Sequence, residues 1–171
     1  MSDYRSLINK AFSLYELAIE KIDQGDFLDA CEKAWGAVEF MRKAMLVKVG
    51  ISYDAAKTIQ YGIPIFTRLI YKLKRKDLLE KYSLFNYKLH VMGFYEGTTE
   101  DWEVRELIEK DVYEWLNEMR RLIESIDIDV SKAEEIIKEI EKRKRKMISE
   151  SASIATLREQ LNALIEKALS K

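Results

Sequence analysis

Breakers, thiols and imidazoles are all scarce in this chain. Its 171 residues include one proline (Pro64), one cysteine (Cys31), one histidine (His90) and six glycines. So few breakers leave no room for the many turns of a sandwich or barrel, and they favour long helices. One cysteine cannot close an internal disulfide, which fits a reducing compartment. One cysteine with one histidine does not make a zinc site of the usual nitrogen and sulfur type, so no metal and no cofactor is expected. A glycine-rich phosphate loop, a dinucleotide fingerprint, a CxxC pair and an HExxH helix are all missing from the sequence. No stretch approaches eighteen apolar residues, and the opening "MSDYRSLINK" lacks an apolar signal core. The expectation is a cytoplasmic protein with no membrane contact. An excess of one charge is lacking too. The 29 basic and 30 acidic side chains leave a net charge of −1, so the whole-chain field does not advertise nucleic-acid binding.

What remains is apolar and charged. Hydrophobic residues make up 47% and charged residues 35%. That mixture excludes a disordered chain and suits an all-α protein with densely charged outer faces. The length suits one core. The Lys/Glu/Ile-rich, proline-poor composition points towards a thermophile.

Apolar residues spaced by three and four from Tyr4 to Ile22 predict a helix over 4–23, with Gly25 as its C-cap. Asp26 is placed to N-cap a second helix over 27–49, which Gly50 closes. The short break makes residues 4–49 an antiparallel hairpin. "SYDAAKTIQYG" gives a short helix. Pro64 suits the first turn of the next, Pro64 to Lys74, which carries Ile65, Leu69, Ile70 and Leu73. A helix over 77–95 follows the charged "KLKRKD", and Gly97 ends it. Thr98 or Thr99 is placed to N-cap the last bundle helix, which runs to about Ile126. The chain then changes character. From about 129 to 171 it has no glycine, proline or aromatic residue, and its apolar stripes are narrower. We therefore divide it into a helical bundle over 1–128 and a C-terminal helical extension over 129–171, a hairpin or one long helix.

The lone histidine lies in "FNYKLHVMGFYEG", residues 85–97. Asn86 and His90 stand one helical turn apart on one face, with Gly93 a turn further on, where a backbone or a ligand can approach closely. Tyr82, Phe85, Leu89 and Met92 form the neighbouring apolar stripe. In "EKAWGAVEF", Trp35 with Gly36 reads as a core anchor beside a close helix crossing. The best local basic patches are "KLKRK" (72–76), with Lys74 and Arg75, and "KRKRK" (142–146). Such runs usually form solvated helix faces, and phosphate contact is the sharper alternative.

Two segments carry a family resemblance: "YELAIEKIDQGDFLDACEKAWGAVEFMRKAML" and "LHVMGFYEG". Together they resemble the HEPN domain (higher-eukaryote-and-prokaryote nucleotide-binding domain), and within it the archaeal paREP-type proteins. The resemblance implies an antiparallel bundle of four to five helices, usually a homodimer, whose partners include nucleotides, RNA or a protein such as a nucleotidyltransferase. In the family's ribonucleases an arginine, often an asparagine, three further residues and a histidine line a metal-free cleft at the dimer interface. The histidine assists attack by the RNA 2′-hydroxyl, and the arginine holds the phosphate. Asn86 matches the asparagine and His90 the histidine, the two candidate catalytic residues. The arginine position is Phe85. Asn86, His90, Gly93 and Tyr95, with Lys74 and Arg75, form the candidate ligand-binding set. The resulting expectation is a non-catalytic homodimer that binds a nucleotide, RNA or a partner protein. One alternative is a metal-independent ribonuclease that borrows an arginine such as Arg68, Arg75 or Arg105 from elsewhere in the fold. The other is a helical-repeat scaffold, since the first hairpin has the small-residue rhythm of a repeat unit, although stable arrays need about three such units.

Overall fold

A computed structural model describes residues 3–126 and 162–163. The expected C-terminal extension, its apolar stripes and the "KRKRK" run lie outside the described residues. Within them the chain is all-α, with five helices longer than a single turn. Helix α1 spans Tyr4–Asp23 and α2 spans Phe27–Lys48. A single turn, α3, covers Tyr53–Ala56, and α4 covers Ile59–Lys72. Helix α5 runs over residues 76–96, with α-winding over Lys76–Phe85 and π-winding over Asn86–Glu96. Helix α6 runs over residues 101–125, with a π-wound stretch Leu107–Val112 inside it.

The first hairpin forms as the pattern predicts. The Asp26 carboxylate accepts the Asp29 amide at 3.2 Å, satisfying a donor that the start of α2 leaves open. Before it, the Gly25 and Asp26 amides donate to the Ile22 and Lys21 carbonyls, the paired bonds of a helix end whose cap is left-handed. The same pair of bonds ends α4, where Lys74 donates to Tyr71 and Arg75 to Ile70. There the left-handed position, with φ +58°, is filled by Lys74.

Two expectations are corrected. Helix α4 starts at Ile59, not Pro64. Thr58 is still extended, with φ −80° and ψ 137°, so Pro64 sits in the second turn. There its missing N–H removes one ladder bond, a cost an exposed position tolerates. Neither Thr98 nor Thr99 caps α6. Thr98 Oγ1 donates to the Met92 carbonyl at 3.4 Å and Thr99 Oγ1 to the Lys88 carbonyl at 3.2 Å. The wide π-turns leave these carbonyls facing the loop, and the hydroxyls serve the old helix instead of the new one.

One contiguous core joins the helices of the described residues. Trp115, Phe66 and Phe85 are its largest fully buried apolar members, and the Trp115 indole donates to the Leu78 carbonyl at 2.9 Å. Gly36 lies against α1: a Cβ there would stand 3.3 Å from Leu14 Cδ1, the close crossing expected beside Trp35.

Candidate functional site

Helices α2 and α5 run antiparallel, and the candidate residues line their seam. Gly93 faces Cys31, His90 faces Trp35, and Tyr82 faces Glu39. The inner stripe of α5 is Tyr82, Phe85, Leu89 and Gly93, all buried. At Gly93 an added Cβ would lie 2.6 Å from Cys31 Sγ and 2.9 Å from the Lys88 carbonyl oxygen. The approach that Gly93 permits is therefore made by α2. Burial pushes the Cys31 thiol up to about 11, so at neutral pH it is a small apolar side chain.

Above this crossing sits the half-buried His90. Its ring stacks on Trp35, with centroids 5.2 Å apart and planes 24° apart. On its other side Tyr95 presents an edge at 4.9 Å and 69°. Trp35 in turn touches Tyr82 at 5.5 Å. No hydrogen bond to the His90 ring nitrogens is found among the described residues. Asn86, one turn earlier, is exposed. Asn86, His90 and Tyr95 thus share one end of α5, and the π-winding begins at Asn86. Such winding recurs at functional sites in other proteins.

Phe85 points the opposite way. It is fully buried, packed edge-on to Trp115 at 5.9 Å and 90°. Phe85 thus belongs to the core and not to the exposed face that carries Asn86.

Along the seam from His90 lies a polar group that sequence reasoning missed. Arg42 is only 1% exposed. Its guanidinium donates to both Glu39 oxygens at 2.8 Å and to the Ala56 carbonyl at 3.0 Å. The Tyr82 hydroxyl donates to Glu39 Oε1 at 2.8 Å. Gly62 makes room: its Cβ would lie 2.1 Å from the Ala56 oxygen and 2.5 Å from Arg42 Nη1. Burial acts to raise the Glu39 carboxyl, but the Arg42 guanidinium and the Tyr82 hydroxyl overcome it and hold the group below its ordinary value. Burial raises the Tyr82 phenol, and the Glu39 charge adds to that. Burial lowers the neighbouring Lys43 ammonium, and the Arg42 charge lowers it further. The signal was present in the sequence: Glu39 and Arg42 stand three apart, interrupting the apolar run of α2, as buried ion pairs on one helix do.

The cations of the candidate set are elsewhere. Lys74 and Arg75 lie at the opposite end of α5, about 20 Å from His90 at 1.5 Å per residue. Arg75 is paired with Asp77 and Glu118, and these carboxylates raise its already high value. Arg105 is paired with Glu109 at 2.8 Å, and Arg68 is half-buried on α4. Nearer the site, Lys88 is paired with Glu103 at 2.7 Å. The structure brings His90 and Tyr95 into contact above the Gly93 crossing and leaves Asn86 exposed, but it does not bring Lys74 and Arg75 to them.

Beside His90 the outward face of α5 carries Leu84 (43% exposed), Tyr87 (55%), the half-buried Val91, and Tyr95 (70%). All four are large apolar side chains left exposed or half-buried on this helix. Among the described residues no three of His, Cys, Asp and Glu converge as a metal site, and no helix is long and apolar enough to cross a membrane.

The sequence model of the archaeal PaREP1/PaREP8 family matches residues 6–116. That span covers nearly all of α1, all of α2 to α5, and the first sixteen residues of α6. No curated protein and no solved structure matches.

Proposed function

The chain belongs to the archaeal PaREP1/PaREP8 family, and on that premise we propose a HEPN-type module over residues 1–128 that acts by binding rather than by cleaving RNA. The observation that carries this reading is Phe85. A phenyl ring sealed in the core offers no donor to a phosphate and no charge to a transition state. An imidazole alone supplies proton transfer but not the electrostatic stabilisation that phosphoryl chemistry depends on. Two cations on the helices of this seam are engaged too, Lys88 with Glu103 and Arg42 with Glu39. A partner protein therefore fits the site better than a phosphate backbone does.

In this reading two copies pair through the outward stripe of α5. Leu84, Tyr87, Val91 and Tyr95 lie within twelve consecutive residues of α5. Such an exposed row of large apolar side chains marks a contact surface. A two-fold pairing buries the stripe against itself and sets Asn86 and His90 of each copy beside the axis. The test is an RNA-cleavage assay in EDTA on wild type and His90→Ala, run beside filter binding of the same RNA. The expected result is no cleavage by either protein and no salt-sensitive binding. Cleavage that disappears in His90→Ala would establish a ribonuclease and overturn the proposal.

A further inference from the structure

A second exposed surface lies at the end of the bundle where the α1–α2 turn meets the α5–α6 turn. Leu28 in the first turn of α2 is 52% exposed, and its Cδ2 comes within 3.6 Å of where a Gly97 Cβ would stand. Trp102, in the first turn of α6, is 66% exposed. The turn between the helices carries Glu96, Glu100 and Asp101, all exposed. None of the three makes an ion pair among the described residues, whereas Asp29, Glu32, Glu103 and Glu109 nearby each have a lysine or arginine. An exposed indole and a leucine ringed by unpaired carboxylates suit an apolar ligand flanked by cations.

The chain itself carries such a segment. Residues 142–146 are Lys142, Arg143, Lys144, Arg145 and Lys146, five consecutive cations, preceded by Ile140 and Glu141 and followed by Met147 and Ile148. Chain length permits the contact. Helix α6 ends at Ser125, and Ile126 is extended, with φ −74° and ψ 115°. From there back to Asp101 is about 36 Å at 1.5 Å per residue. The sixteen residues from Ile126 to Lys142 span up to about 50 Å when extended. An unbroken helical return to Lys146 covers about 30 Å, and the lysine stem makes up the difference.

We infer that the basic segment 142–146 of the same chain docks on the acidic, aromatic end formed by Leu28, Glu96, Glu100, Asp101 and Trp102. The contact covers Trp102 and neutralises the three carboxylates. It is intramolecular and adjoins the pairing stripe at Tyr95, next to Glu96, so the test below separates links within a chain from links between chains.

Zero-length carbodiimide cross-linking of the full-length protein, mapped by mass spectrometry, tests this. Mixed heavy- and light-isotope chains separate links within a chain from links between chains. The expected result is intrachain links from Lys142, Lys144 or Lys146 to Glu96, Glu100 or Asp101, with yields that fall several-fold in about 1 M salt, where screening acts within about 3 Å. The internal ion pairs Lys88–Glu103 and Lys33–Asp29 serve as positive controls. Recovery of the controls without the predicted links, or predicted links found only between chains, would overturn the inference. In a second measurement, K142Q/K144Q/K146Q should raise acrylamide quenching of the Trp102 emission, isolated by difference from Trp102→Phe, about twofold, as expected when a covering cationic segment is released. Unchanged quenching would also overturn it.

Discussion

Gly93→Ala tests the helix crossing on which the whole seam rests. The new methyl would stand 2.6 Å from Cys31 Sγ, 3.1 Å from Cys31 Cβ and 2.9 Å from the Lys88 carbonyl oxygen. Ordinary carbon contacts begin near 3.4 Å, so the sulfur must retreat by nearly an ångström. The other two atoms belong to backbone or lie next to it and cannot rotate away. Overpacking of a tight core costs about 1–3 kcal/mol. Alanine returns up to about 1 kcal/mol of helix propensity, and less in a π-wound stretch. The net expectation is a loss of about 2 kcal/mol, read from the midpoint and slope of urea unfolding. Cys31→Ala in the same background should recover about 1 kcal/mol, because it removes the 2.6 Å clash and leaves the other two. A Gly93→Ala protein as stable as wild type, or a penalty unchanged when Sγ is absent, would refute the packing argument.

Other predictions follow from the same geometry. Arg42→Met should cost about 3–5 kcal/mol in urea unfolding, because it strands the Glu39 carboxylate in a largely buried site. Glu39 sits below its ordinary value in the folded protein, and in the unfolded chain it titrates near about 4.3. Its contribution is therefore complete above about pH 5 and is lost as pH falls through the folded value. Acid unfolding curves of wild type should drop more steeply there than those of Glu39→Gln, and parallel curves would contradict the assignment. Lys74→Gly should raise stability by about 1 kcal/mol in thermal unfolding, since a left-handed position is strained for any side chain. The Cys31 thiol should resist a disulfide reagent at pH 8 until denaturant is added, because it is buried and its pKa is pushed up to about 11.

The first hairpin was legible almost residue by residue. Its stripes, Asp26 and the glycines after each helix are local signals, and nothing distant overrides them. Pro64 misled because proline is commonest at the start of a helix, yet an exposed second turn also accepts it. The π-winding of α5 left no trace in the periodicity. A shift from i→i+4 to i→i+5 bonding rotates the later residues of Asn86–Glu96 away from the face that α-helical spacing assigns them, and no local residue pattern announces where that shift begins. It nevertheless decided what Thr98 and Thr99 bond to. At the site, Gly93 announced a close approach without naming α2 as the approaching element. The stacking of His90 on Trp35 joins residues 55 positions apart and was out of reach of any local pattern. The same is true of the distance from Lys74 and Arg75 to His90, which only the continuity of α5 fixes.

The pairing through α5 is the centre of this account, and Asn86→Cys measures it most directly. Asn86 is exposed beside the proposed axis, and the buried Cys31 does not compete for oxidation. Under mild oxidation at micromolar protein, the account predicts a covalent dimer on a non-reducing gel for Asn86→Cys and none for Lys10→Cys, which is exposed on α1. Failure of Asn86→Cys to cross-link, or equal cross-linking at both positions, would contradict it.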